Sequence, residues 1–196
     1  FHFRYIDYKN EKMMISVTGY TGEHGYELYI HNDKAAELWR ELLETGKEFG
    51  LKPVGLGARD SLRLEACYSL YGHEISDTIN PIEADLRWLT SSKENYIGSE
   101  VINNAKQNGT DRAIVTFELT EKGIPRENYR VEKDGKDIGY CTSAGFSPTF
   151  KKGIGMALVE SNILKLNDGF DVVIRNKRIK AKVVKRPIYP YKNISM

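Results

Sequence analysis

The chain has 196 residues, 40% hydrophobic, 29% charged and 11% aromatic, with a formal net charge of +2 at pH 7. That balance excludes a disordered or fibrous chain, and no apolar run reaches the roughly 18 residues a membrane helix needs. Two cysteines, Cys67 and Cys141, exclude a disulfide framework; the four histidines form no HExxH or i, i+4 pair, so no metal is expected and a reducing compartment is the economical reading.

The chain opens on Phe1-His2-Phe3-Arg4-Tyr5, neither a signal nor a transit peptide, with Phe3 and Tyr5 already alternating as in a strand. A start in mid-pattern, without Met, predicts that the natural start lies upstream. Met13 to Val17 and Tyr26 to Ile30 read as two strands around a glycine-rich turn, Thr18 to Gly25. A helix follows: Asn32 or Asp33 is placed to cap it, and Ala35, Leu38, Trp39, Leu42, Leu43 and Gly46 share one face. Gly50 is placed to end that region. Gly55-Leu56-Gly57 then enters a second helix, predicted to run through about Tyr68.

Residues 71–81 are polar and broken by Gly72 and Pro81, as in a loop. Ser99 opens a short helix to Gln107, which Asn108-Gly109 ends. The period then changes to short runs rich in Val, Ile and aromatics: 113–119, 129–132, 138–142, 155–159, 171–174 and 178–185, most of them separated by Gly, Asn or Asp. Such spacing predicts a small antiparallel barrel or sandwich. The fold class is therefore α+β, a partial α/β domain followed by a small antiparallel β-barrel. The expected division is residues 1–95, a connecting helix over 96–109, and a barrel over 110–196. The first part offers too little sheet to cover both helix faces, which again points to a longer parent chain.

Charge divides along the same line. Residues 1–100 hold 11 Lys/Arg against 17 Asp/Glu, whereas 101–196 hold 18 against 10. A basic half suits an anionic ligand tail or an acidic partner, and equally a solvated basic surface. Its lysines and arginines lack interleaved aromatic platforms, so no nucleic acid is expected.

Two segments carry candidate chemistry. In Gly19-Tyr20-Thr21-Gly22-Glu23-His24-Gly25-Tyr26-Glu27, three glycines let the backbone turn tightly. It lacks the Gly-Lys-Ser/Thr of a phosphate loop. Glu27 leaves the turn on a strand, where a rigid carboxylate suits an amidine-like edge. A glycine-rich hairpin with a surface Glu is the bland alternative. In Gly55-Leu56-Gly57-Ala58-Arg59-Asp60-Ser61-Leu62-Arg63-Leu64-Glu65-Ala66, Arg59 stands near the positive end of a helix, against its electrostatic preference. Arg59, Asp60, Arg63 and Glu65 are equally placed for a mutual ion-pair network.

These two segments in this order resemble the T protein, or aminomethyltransferase, of the glycine cleavage system. Further matches follow in family order: Leu70 to Ile75, Asn80 to Ala84, Gly123 to Arg126, Gly139 to Pro148 and Gly153 to Ala157. They cover nearly the whole chain and correspond to the second half of the family's length. The resemblance implies a reaction in which an aminomethyl group on the lipoyl arm of the H protein passes to tetrahydrofolate, with release of ammonia. It implies that Glu27 holds the pterin edge, Arg59 supports the pterin and the catalytic centre, Tyr20 and Tyr68 wall the ring, and Tyr189 or Tyr191 holds the folate tail. The family's catalytic aspartate has no match here, so no catalytic residue is expected within the chain. Ala144 departs from the family's Thr-Ser-Gly pattern, which bears on a turn expected there. The implied compartment is the cytoplasm in a bacterium, or the mitochondrial matrix in a eukaryote, with no membrane.

Relatives sharing the fold give the alternatives: the folate-binding part of a dimethylglycine or sarcosine oxidoreductase, a demethylase, or a non-catalytic scaffold module. The iron–sulfur scaffold relatives carry a Lys-Gly-Cys signature, and neither Cys67 nor Cys141 sits in one. Both read as buried, inert thiols, Cys67 within a helix.

Overall fold

The computed structural model describes residues 2–91 and 96–190. Tyr191 lies outside them. They form two compact units, residues 2–62 and 63–190, which divide within one helix between Leu62 and Arg63.

The first unit begins with three antiparallel strands, β1 (Phe3–Tyr8), β2 (Glu11–Ser16) and β3 (Glu27–Tyr29), in that order across the sheet. Tyr5 pairs with Met14 and Met14 with Tyr29; Phe3 pairs with Ser16 and Ser16 with Glu27. Because side chains alternate along a strand, these six residues share one face of the sheet. Met13, Ile15 and Leu28 fall on the other.

Helix α1 (Asn32–Gly46) lies on that second face. The Tyr8 hydroxyl donates to Glu41 at 2.6 Å, and Lys9 pairs with Glu37 at 2.7 Å. The helix starts one residue earlier than expected. His31 is the cap, its Nδ1 accepting from the Asp33 backbone N–H at 3.4 Å. A 3₁₀ turn (Lys47–Phe49) follows, and Gly50 ends the region at φ 74°, a left-handed conformation that glycine adopts without steric cost.

Helix α2 (Leu56–Glu65) is shorter than the sequence suggests. The Cys67 N–H donates to the Leu64 carbonyl at 3.0 Å and the Tyr68 N–H to the Arg63 carbonyl at 2.8 Å, with Cys67 at φ 56°. These two bonds and the left-handed residue make a Schellman stop. Cys67 thus lies beyond the helix and does the work usually given to glycine.

In the second unit, α3 (Ser99–Asn108) runs between Gly98 and Gly109, both at positive φ. Six strands then close a barrel: β4 (Arg112–Leu119), β5 (Arg130–Lys133), β6 (Lys136–Ser147), β7 (Lys152–Glu160), β8 (Gly169–Ile174) and β9 (Lys177–Val183). Their order is β4-β7-β6-β5-β8-β9, and β9 returns to β4. Every expected β run of the second half is a barrel strand.

The barrel interior holds Phe117, Val131, Cys141, Ala157, Val172 and neighbouring apolar side chains, with Phe117 and Phe170 edge to face at 5.6 Å. Fully burying each large one contributes about 1.5–3 kcal/mol. Outside, β9 turns Arg178, Lys180 and Lys182 outward at every second position. They meet Glu132 at 2.7 Å, Asp171 at 2.7 Å and Glu118 at 3.2 Å. Three of the 18 Lys/Arg of the basic second half are thus bound up in a ladder of ion pairs. No helix among the described residues is long and apolar enough to cross a membrane.

The stretch Thr142-Ser143-Ala144-Gly145 forms no turn. It runs through β6, where the pairing steps from Cys141–Ala157 to Ser143–Met156 and leaves Thr142 as an extra residue. Such a bulge reverses which residues point to which side.

Candidate functional site

In the first unit, β3 and the glycine-rich turn carry Glu27 and Tyr20, and the opening turn of α2 carries Arg59. The Arg59 guanidinium stands over the Tyr20 ring, 4.5 Å from its centroid. A cation over a π face is favourable by about 0.5–1 kcal/mol at an exposed site. That contact offsets the poor placement of a cation near a helix N-terminus. Two residues expected to serve one ligand are therefore in contact.

Glu27 is exposed, on the sheet face that also bears Phe3, Tyr5, Met14, Ser16 and Tyr29. Its Oε2 accepts from the Thr18 hydroxyl and, at 3.4 Å, from the Tyr29 hydroxyl. Ser16 Oγ lies 2.9 Å from Thr18 Oγ1. No hydrogen bond reaches Glu27 Oε1 from any described residue. Glu23 is also exposed, within the turn, where its backbone N–H donates to Thr21 Oγ1 at 3.3 Å.

Tyr68 and Tyr189 belong to the second unit, where both meet the C-terminal end of α2. The Tyr189 N–H donates to the Glu65 carbonyl at 2.8 Å, and Arg63 donates to the Tyr68 carbonyl at 3.4 Å. Burial raises the Tyr68 phenol above its ordinary value.

The same helix end is tied to β6 beyond the bulge. Ser143, Gly145 and Ser147 share one side of the strand and meet Arg63, Leu64 and Glu65 in turn. Arg63 donates to Ser143 Oγ at 2.9 Å; a Cβ on Gly145 would stand 3.7 Å from Leu64; Ser147 donates to Glu65 at 2.5 Å. Thr149 gives the Glu65 carboxylate two further bonds, at 3.2 Å through its N–H and 2.8 Å through its hydroxyl. Arg63 and Glu65 thus reach across to β6, a role beyond the intrahelical network that their spacing suggests.

Sequence reasoning missed the charged cluster around Arg63. Glu74 is fully buried, 3.6 Å from the Arg63 guanidinium, and its Oε2 accepts from the Leu70 N–H at 3.0 Å. Its Oε1 finds no hydrogen-bond partner among the described residues. Beside it, His73 Nδ1 lies 2.8 Å from the Thr142 carbonyl, which only accepts, so Nδ1 carries the proton. Glu127 stands 3.2 Å from the same nitrogen. Glycine, proline and polar residues mark 71–81 as a loop, but they carry no signal that Glu74 turns inward.

The thiols take no part. Burial pushes Cys141 up to about 12 and raises Cys67 as well. Among the described residues no group of three or more His, Cys, Asp or Glu is arranged to hold a metal ion.

Two family models match the chain. Residues 1–94 match the GCVT N-terminal domain, and residues 112–190 match the glycine cleavage T-protein C-terminal barrel domain. Among curated proteins, the aminomethyltransferase of Thermoanaerobacter pseudethanolicus is 48% identical over 177 residues, covering 90% of this chain and 48% of its own. That of Leptospira interrogans is 47% identical over 192 residues, covering 97% of this chain and 52% of its own. Among solved structures, the glycine cleavage system aminomethyltransferase T from Bartonella henselae superposes with a TM-score of 0.85 at 30% identity. That match covers 91% of this chain and 50% of the other. The chain spans about half the length of the relatives it matches.

Proposed function

Because the chain belongs to the glycine cleavage T-protein family, we propose that it supplies part of the folate site of an aminomethyltransferase. In that reading the complete protein moves an aminomethyl carbon from the lipoyl arm of the H protein to tetrahydrofolate and releases ammonia. The observation that carries it is the presence, in one unit, of an exposed carboxylate at Glu27 and of a guanidinium stacked on Tyr20 at Arg59.

The chemistry of these groups suits a pterin. Its 2-amino and ring N–H donors form a planar edge that a carboxylate accepts in pairs. Arg59 offers a fixed cation and Tyr20 an apolar wall. Tyr68 and Tyr189, in the second unit, are proposed as folate contacts on the family resemblance alone, Tyr189 for the folate tail. Tetrahydrofolate carries the carbon, and these side chains bind and orient it. The carboxylate proposed for catalysis belongs to the half of the family's length that this chain does not span, so the 196 residues alone are inactive. The domain division stays as expected, a folate-binding part to residue 95 and a barrel from 110, supported by the spans of the two family models. The bacterial relatives support a cytoplasmic setting.

The test is reconstitution of glycine cleavage from lipoylated H protein, tetrahydrofolate and the remaining components. The expected result is turnover when the chain is completed with the other half of the family's length, and none with the chain alone. Turnover by the chain alone refutes the assignment of catalysis to the other half. Its absence from the completed protein refutes the activity.

A further inference from the structure

Glu27 is an exposed carboxylate at the start of a three-residue strand, beside a turn with three glycines. Such a side chain ordinarily samples several rotamers, and ordering it on ligand binding costs conformational entropy. Here it is held. A threonine hydroxyl has one proton, and a carboxylate only accepts, so the Thr18 proton goes to Glu27 Oε2. Ser16 Oγ lies 2.9 Å from the same Thr18 hydroxyl. The Tyr29 hydroxyl is a second and longer donor to Glu27 Oε2 at 3.4 Å.

All of this converges on Oε2 and leaves Oε1 open. A carboxylate oxygen accepts about two hydrogen bonds. A ligand with two parallel N–H donors therefore takes Oε1 with one. It reaches Oε2 with the other only by displacing a donor already there. The long Tyr29 bond is the weaker of the two and is the one that yields.

We infer that Thr18 is the positioning residue of this site, fixing Glu27 through Oε2 so that Oε1 meets an amidine-type edge, while Tyr29 is a placeholder that the ligand displaces. The inference rests on the pterin reading of Glu27. Thr18 acts through the carboxylate and does not touch the ligand. A β-branched residue suits this task, because its χ1 is stiff and keeps the hydroxyl aimed at the carboxylate.

The test uses the chain completed with the other half of the family's length and titrates 5-formyltetrahydrofolate by calorimetry. The variants are T18V, T18S, Y29F, E27Q and the double variant T18V/E27Q, with thermal melts to confirm folding. Losing a hydrogen bond to a charged group that must then be ordered anew lowers affinity about five- to tenfold, the expected loss for T18V. T18S restores affinity to within about twofold, Y29F stays within about twofold, and T18V adds nothing once E27Q is present. A T18S variant as weak as T18V, a T18V loss that adds in full to that of E27Q, or full affinity in T18V overturns the inference. If E27Q itself binds as tightly as the parent, the pterin reading of Glu27 falls and the inference with it. If E27Q is weak and T18V is not, only the inference falls.

Discussion

Replacing Arg63 by Met tests whether the buried cluster holds the helix end in place. Arg63 is 2% exposed and Glu74 0%. Methionine fills much of the same volume but removes the only ion-pair partner found for Glu74 among the described residues, at 3.6 Å. It also removes the donor to Ser143 Oγ at 2.9 Å. Breaking one partner of a buried pair costs about 3–5 kcal/mol, because the remaining charge is neither solvated nor compensated. The unit containing them, residues 63–190, has an unfolding entropy near 0.27 kcal/mol/K at about 2.1 cal/mol/K per residue, so the melt falls by about 10–20 °C. Scanning calorimetry reads that shift. The double variant Arg63→Met/Glu74→Leu removes both charges and should recover at least half the loss, since an apolar pair carries no desolvation penalty. A single variant that melts within about 3 °C of the parent, or a double variant no better than the single, refutes the reasoning.

Three further outcomes are expected. In the completed protein, Glu27→Gln weakens 5-formyltetrahydrofolate binding by about 1.5–3 kcal/mol, roughly ten- to a hundredfold. Glu23→Gln has little effect and Arg59→Lys is damaging; equal losses at Glu23 and Glu27 in the calorimetric titration place the pocket elsewhere. Gly155→Ala puts a Cβ 2.5 Å from Phe117 Cζ and 2.9 Å from Ala144 Cβ, so denaturant unfolding should show a loss of about 1–3 kcal/mol, partly relieved by Phe117→Leu. Burial alone raises Glu118, but hydrogen bonds from Lys152 and Lys182 bring it below its ordinary 4.5. Its stabilisation is therefore present above that value and lost as pH falls through the folded one. The melting difference between Glu118→Gln and the parent should shrink as pH drops from 7 to about 3.

The barrel was the most legible part of the chain, because each strand has its own short apolar run and Gly, Asn or Asp punctuates most of the gaps. Helix α1 was legible from its 3.6-residue period, but its cap was not, since histidine is a rare cap and two better candidates, Asn32 and Asp33, follow it. The end of α2 was misplaced because Cys67 occupies a left-handed position that sequence reasoning reserves for glycine or asparagine. Glu27, Arg59 and Tyr20 stood out because each departs from a local preference or sits in an unusual glycine pattern. Arg63 and Glu74 did not. The Arg63–Ser143 bond joins residues 80 apart in sequence, and burial of a charge depends on such distant partners.

The bulge at Thr142 makes β6 behave like a reading frame. Beyond it, every second residue is committed to the helix end and the intervening ones to the barrel wall. Substitutions there act one contact at a time, but loss or gain of a single residue acts on all of them together. Deleting Thr142 itself would only close the bulge, whereas deleting Ala144 would turn Gly145 and Ser147 toward the apolar interior and Phe146 toward the helix end, taking from the buried Glu65 carboxylate its Ser147 donor. The segment from Cys141 to Ser147 should therefore accept changes of side chain far more readily than changes of length, although nothing in its composition marks it as the less forgiving kind of strand.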